Sequence, residues 1–163
     1  QGCLLARRLV EHGVRYVEVN LGGWDTHYDN FTAVEARCNV LDRAYASLLI
    51  ELEAKGLLES TMVVLSSEFG RSPNIVAEHN NGRDHHPAAF SSLLAGGGIK
   101  GGIVHGSTDS KGARVKKDKV TIQDFNATIA HGLGMDVNAV LHSPSGRPFQ
   151  VAHKGKPVKQ LFS

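Results

Sequence analysis

Apolar and polar positions alternate along this chain in two periods, and they mark out its elements. Leu4, Leu5, Leu9 and Val10 recur at helical spacing with Arg7, Arg8 and Glu11 on the other face, and Gly13 stands where a C-terminal cap belongs. Val14 to Leu21 then reads as a strand. Val34, Cys38, Leu41, Tyr45, Leu48, Leu49 and Leu52 form one apolar stripe of a long helix, with Glu35, Asp42, Arg43 and Glu51 toward water, and Gly56 ends it. The short apolar run Thr61 to Leu65 reads as a strand covered on both faces. Strand, helix, strand makes a βαβ unit, which is right-handed and leaves its two strands parallel. The fold expected is therefore α/β, a parallel (mixed-edge) sheet with helices on both faces.

That topology directs attention to the strand ends, where α/β proteins gather their chemistry. After the first strand stands Gly22-Gly23-Trp24-Asp25-Thr26-His27, and after the second Ser66-Ser67-Glu68-Phe69-Gly70-Arg71. Parallel strands would bring both clusters to one edge. A polar segment of about twenty residues follows Glu68, long for a connection and so a candidate functional loop. It contains Gly82-Arg83-Asp84-His85-His86-Pro87. Phe90 to Ala95 reads as a third strand, Ile103 to His105 as a short one. Thr121 with Asp124 reads as the capping pair of a helix running through His131. Residues 1–143 form the α/β portion, and 144–163, rich in Pro, Gly and Lys, an irregular tail.

Asp, Glu and His in three clusters are the vocabulary of a metal site. Asp25 and His27, two apart on a glycine-primed turn, can reach one ion. Glu68 is a ligand, or else half of a structural ion pair with Arg71. Adjacent histidines point in different directions in extended chain, so one of His85 and His86 serves a given ion and the other a hydrogen-bond partner. Asp84 belongs to the same set, and Arg83 can hold an anionic group by a forked contact. Ser66 and Ser67 lack the glycine elbow of a serine nucleophile. Gly96 to Gly102 lacks the Gly-Lys-Ser/Thr ending of a phosphate loop. Asp109 reads as a turn residue, and His12, His105, His131, His142 and His153 as structural.

Composition narrows the class. With 163 residues, 41% hydrophobic and 21% charged, the chain is sized for one globular domain. A net charge of +2 gives no reason to invoke nucleic acid, and Arg114, Lys116, Lys117 and Lys119 read as a solvated loop. No apolar run approaches a membrane span. Cys3 and Cys38 fall on apolar helix faces and read as buried thiols, with a disulfide between them left open. A start at Gln1, already inside an amphipathic pattern, reads as a piece of a longer protein or a trimmed one, any localisation signal lying upstream.

Taken in order, Gly-Gly-Trp-Asp-Thr-His, Ser-Glu-Phe-Gly-Arg, Gly-Arg-Asp-His-His-Pro and Gly-Gly-Gly-Ile-Lys-Gly-Gly resemble domain-of-unknown-function family 1501, over roughly Arg7 to Asp136. The resemblance implies export (a periplasmic or extracytoplasmic location) and kinship with the alkaline phosphatase and sulfatase superfamily, of whose fold this chain would be the C-terminal portion. In that superfamily two divalent ions lie at the sheet edge. Asp25, His27 and either His85 or His86 match the ligands of one. At the second ion's place stand Glu68 and Phe69, and phenylalanine cannot ligate, so that site is altered or lost. The nucleophile would lie outside this chain. The implied function is metal-dependent hydrolysis of a phosphate or sulfate ester, with zinc, manganese or calcium as cofactor and a small anionic ester as substrate. Glu68, Arg71 and Arg83 would act on that ester. The alternative is a non-catalytic binding or structural module with a degenerate metal site. Self-association, or pairing with the missing N-terminal part, is the partner expectation.

Overall fold

The computed structural model describes all 163 residues. Three helices form where the periodicity puts them. Helix α1 covers Gly2–Glu11, α2 Asn30–Ala54 and α3 Ile122–Gly132. Gly13 adopts φ +82°, the left-handed conformation a helix-ending glycine accepts without strain. Helix α1 packs on α2, and Arg7 Nε reaches Glu51 at 2.7 Å while Lys55 reaches Glu11 at 2.6 Å. Helix α3 opens on a complete capping box: Thr121 Oγ1 accepts from the Asp124 amide, and the Asp124 carboxylate accepts from the Thr121 amide.

The sheet differs from the expectation. Four separate two-stranded antiparallel ribbons replace the single parallel sheet. Strand β1 (Val63–Leu65) pairs with β4 (Leu93–Ala95), and β2 (Gly70–Arg71) with β3 (His85–His86). Likewise β5 (Ser107–Thr108) pairs with β6 (Val115–Lys117), and β7 (Val140–His142) with β8 (Pro148–Gln150). The expected first strand, Val14 to Leu21, is not formed, so no βαβ unit exists. The physical reason is that alternation signals a buried face, whereas a strand also needs a neighbour for its backbone groups. Residues 15–23 take part in no backbone hydrogen bond. Nor is β1 covered on both faces, since Val64 is exposed on one and Leu93, the cross-strand neighbour of Leu65, on the other.

Nine of the 163 residues are buried, and among side chains larger than alanine only Leu52 contributes apolar bulk to that core. The two thiols are free rather than buried or bridged: Cys38 is exposed and Cys3 half-buried. The expected third strand shortens to β4, and Ile103 to His105 form none. Residues 144–163, expected to be irregular, include β8 and a 3-10 turn at Lys159–Leu161. They dock on the preceding residues, the Ser163 amide donating to Gly98 O at 3.0 Å and the Lys156 amide to Asp124 at 2.8 Å. No helix is long and apolar enough to cross a membrane.

Candidate metal centre

Two segments distant in sequence meet at one surface. The first is the loop Gly22 to Asp29. Thr26 is buried and its hydroxyl donates to Asn30 Oδ1 at 2.9 Å, the first residue of α2. This inward anchor sends its neighbours, Asp25 and His27, to the outer side. The second segment is the β2–β3 ribbon. Arg71 lies directly opposite His85, and opposed residues in an antiparallel pair project from the same face. Both land on one atom: Arg71 donates to Asp25 Oδ1 at 3.1 Å, and His85 Nε2 lies 2.9 Å from it.

His27 completes a triangle. Its Nε2 is 3.0 Å from Asp25 Oδ1 and 3.1 Å from His85 Nε2. Its other nitrogen, Nδ1, lies 3.1 Å from Asp84 Oδ1. An ionised carboxylate only accepts, so in the tautomer with its proton on Nδ1, His27 donates to Asp84 and presents an Nε2 lone pair inward, whereas the other tautomer donates from Nε2 to Asp25. Three ligand-type atoms converge within about 3 Å, close to the ~3.3 Å edge expected for ligands at tetrahedral corners about 2.0 Å from one ion. The donor set of two imidazole nitrogens and a carboxylate oxygen fits a zinc or transition ion better than calcium, which prefers oxygen alone. The His85 imidazole, and after it the Arg71 guanidinium, hold the Asp25 carboxyl below its ordinary pKa. That keeps Asp25 ionised and ready to ligate.

The remaining candidates sit around this triangle. His86 faces away and lies 2.7 Å from Ala113 O, with Asp109 capping the same turn through the Lys111 and Ala113 amides. Arg71 also donates to Trp24 O at 2.7 Å and to Arg83 O at 3.0 Å, so its guanidinium is committed to holding the two segments together. Arg83 lies over the Phe31 ring, 5.1 Å to its centroid, and donates to Ser72 O. Phe69 packs on the His85 ring with centroids 4.1 Å apart. Glu68 is exposed and bonds to none of these residues. Asp25, His27 and His85 therefore form the triad, Asp84 and Arg71 orient it, and Glu68 and His86 stand outside it.

Two contributors escape a reading by residue chemistry. Thr26 announces its anchoring role only by standing between Asp25 and His27. Gly82, legible as a turn residue, is buried against the His27 carbonyl, where any added Cβ would overlap that oxygen. The site thus depends on a glycine for the close approach of its two segments.

A mixed α/β chain with short antiparallel ribbons and a surface His-His-Asp triad is the class that structure defines. The chain belongs to the family described as "Protein of unknown function (DUF1501)", whose model matches residues 1–162. No curated protein and no solved structure matches it.

Proposed function

We propose that this chain carries a single divalent-metal centre serving the hydrolysis of phosphate or sulfate esters. The observation that supports it is the convergence of Asp25 Oδ1, His27 Nε2 and His85 Nε2 within 3.1 Å. With both imidazoles in the tautomer that turns an Nε2 lone pair inward, these three atoms repel one another unless a cation lies among them, and in the other protonation states a proton takes that place. Three protein ligands leave a coordination position open, as catalytic rather than structural sites do. When bound, the ion supplies Lewis acidity toward an ester oxygen and lowers the pKa of a coordinated water.

The chain's own residues have separate tasks. Asp84 favours the His27 tautomer protonated on Nδ1, and Phe69 braces the His85 ring. Arg71 spreads positive charge onto the Asp25 carboxylate. Glu68, free of partners at the end of β1, is the general-base candidate. The likeness to the alkaline phosphatase and sulfatase superfamily stands as part of this proposal, as does the extracytoplasmic location that the family motifs suggest.

A second reading has an observation in its favour. Arg71 donates to two backbone carbonyls and to Asp25, which leaves its guanidinium unavailable to an anionic ester, and Arg83 is held by one carbonyl and the Phe31 ring. On that reading the ion only locks the 22–29 loop to the β2–β3 ribbon. Elemental analysis after dialysis, followed by assay of aryl phosphates and sulfates with added zinc or manganese, separates the two. Stoichiometric metal with turnover lost in Asp25→Ala supports the hydrolase. Metal without turnover supports the locking role, and a folded protein retaining no metal overturns both.

A further inference from the structure

Residues 111–119 hold five cations, Lys111, Arg114, Lys116, Lys117 and Lys119, against one carboxylate, Asp118, a local charge of +4. The whole chain carries +2, so everything outside this stretch sums to −2. All five cations are exposed. Their one ion pair joins Lys117 to Asp118 at 3.9 Å, between exposed partners, where such a contact contributes little.

The structure does not leave this stretch as a free loop. Its strand β6 pairs with β5, and Asp109 closes the turn between them. The Asp109 carboxylate accepts from the Lys111 and Ala113 amides at 3.1 and 2.9 Å, and its amide donates to Arg114 O at 2.9 Å. That acid is thereby spent on backbone rather than on the neighbouring cations. His86 pins the turn to β3, donating from Nε2 to Ala113 O at 2.7 Å. Like charges held together in this way repel one another, and an anionic ligand relieves that repulsion.

Geometry and composition narrow the ligand. Val115–Lys117 is extended, so Arg114 to Lys117 span roughly 10 Å. One phosphate or sulfate group is too small to meet these cations together, whereas a row of such groups reaches them all. Residues 105–120 contain no Phe, Tyr or Trp, so nucleic-acid bases would find no aromatic ring to stack on.

We propose that the β5–β6 hairpin with residues 118 and 119 binds an anionic polymer carrying closely spaced sulfate or phosphate groups. This site is separate from the metal centre. His85 and His86 project from opposite faces of β3, one toward the triad and the other toward the hairpin.

The test uses the 163-residue chain with chelator present, so its result does not depend on metal. Fluorescent dextran sulfate and polyphosphate are titrated at about 0.1 M salt, where charges more than roughly 10 Å apart are screened. Saturable binding of either is expected, and the tighter of the two names the sulfated or the phosphorylated source. Binding of neither overturns the proposal, as does tighter binding of a single-stranded oligonucleotide of equal charge.

Lys116→Ala/Lys117→Ala is expected to weaken binding about tenfold and to reduce the slope of log affinity against log salt by about 1.4. Arg15→Ala/Arg43→Ala removes the same charge from exposed positions elsewhere and is expected to leave affinity nearly unchanged. Equal losses from the two pairs would trace binding to net charge and overturn the site. Asp109→Ala gives the sharpest contrast. Removing a negative charge should by itself tighten binding, whereas opening the turn that spaces the cations should weaken it. Weaker binding is expected, with Asp109→Asn, which keeps an accepting oxygen, binding at least as tightly as wild type. Tighter binding by Asp109→Ala would overturn the claim that the hairpin is built as a site.

Discussion

Asp84 holds His27 through Nδ1 at 3.1 Å, across 57 residues of chain. This contact decides which nitrogen of His27 faces Asp25 and His85. Asp84→Asn keeps the shape and removes the charge, and outer partners of metal-bound histidines commonly carry about 10–100-fold in affinity. A loss of zinc affinity in that range is expected by competition with a chromogenic chelator. Unchanged affinity would remove Asp84 from the site.

The neighbouring histidines give a sharper contrast. His85 joins the triad while His86 reaches Ala113 O. His85→Ala is expected to abolish metal retention, and His86→Ala to leave it intact while loosening the turn at Asp109 to Ala113. Equal loss from both variants would mean that the pair acts as a unit.

Gly82 tests whether the site is held by backbone approach. Gly82→Ala introduces a Cβ that overlaps His27 O. Overpacking of this kind costs about 1–3 kcal/mol. A lower urea midpoint and a drop in bound metal are expected together. Normal metal content with an unchanged midpoint would show that the two segments can part without consequence.

Acid should unlock α3 and the segment that docks on it. The Lys156 backbone amide and the Thr121 hydroxyl hold the Asp124 carboxyl below its ordinary pKa. A depressed folded-state pKa contributes stability that is present above the unfolded value, near 4, and lost as pH falls through the folded one. In wild type, thermal stability is therefore expected to decline below about pH 4, and Asp124→Asn to flatten part of that decline. Thr121→Ala should cost about 1 kcal/mol at neutral pH, the usual size of an N-cap. A parallel pH profile in wild type and Asp124→Asn would place the acid sensitivity elsewhere.

Local chemistry determined much of this molecule. The 3.6-residue stripes of α1 and α2 and the Thr121–Asp124 box are interactions within a few residues, so they can be read from the chain itself. The site's vocabulary was legible too, because Asp25, His27 and His85 stand in glycine-flanked polar clusters after apolar runs. Which of the clustered side chains meet was not. His85 and His86 are equivalent in sequence. Only the register of β2 against β3, with Arg71 opposite His85, turns one toward Asp25 and the other toward Ala113. Glu68 sits two residues from that ribbon and stays outside the triad for the same reason.

The strand at Val14 to Leu21 marks the limit most clearly. Alternation of Val17, Val19 and Leu21 records a face that seeks burial, and that much is a property of the sequence. Whether a strand exists depends on backbone partners supplied from elsewhere. Within these 163 residues β1 takes β4 as its antiparallel neighbour and leaves residues 15–23 unpaired. Periodicity is encoded locally, whereas pairing is a long-range choice settled by loop closure and by which edges are free.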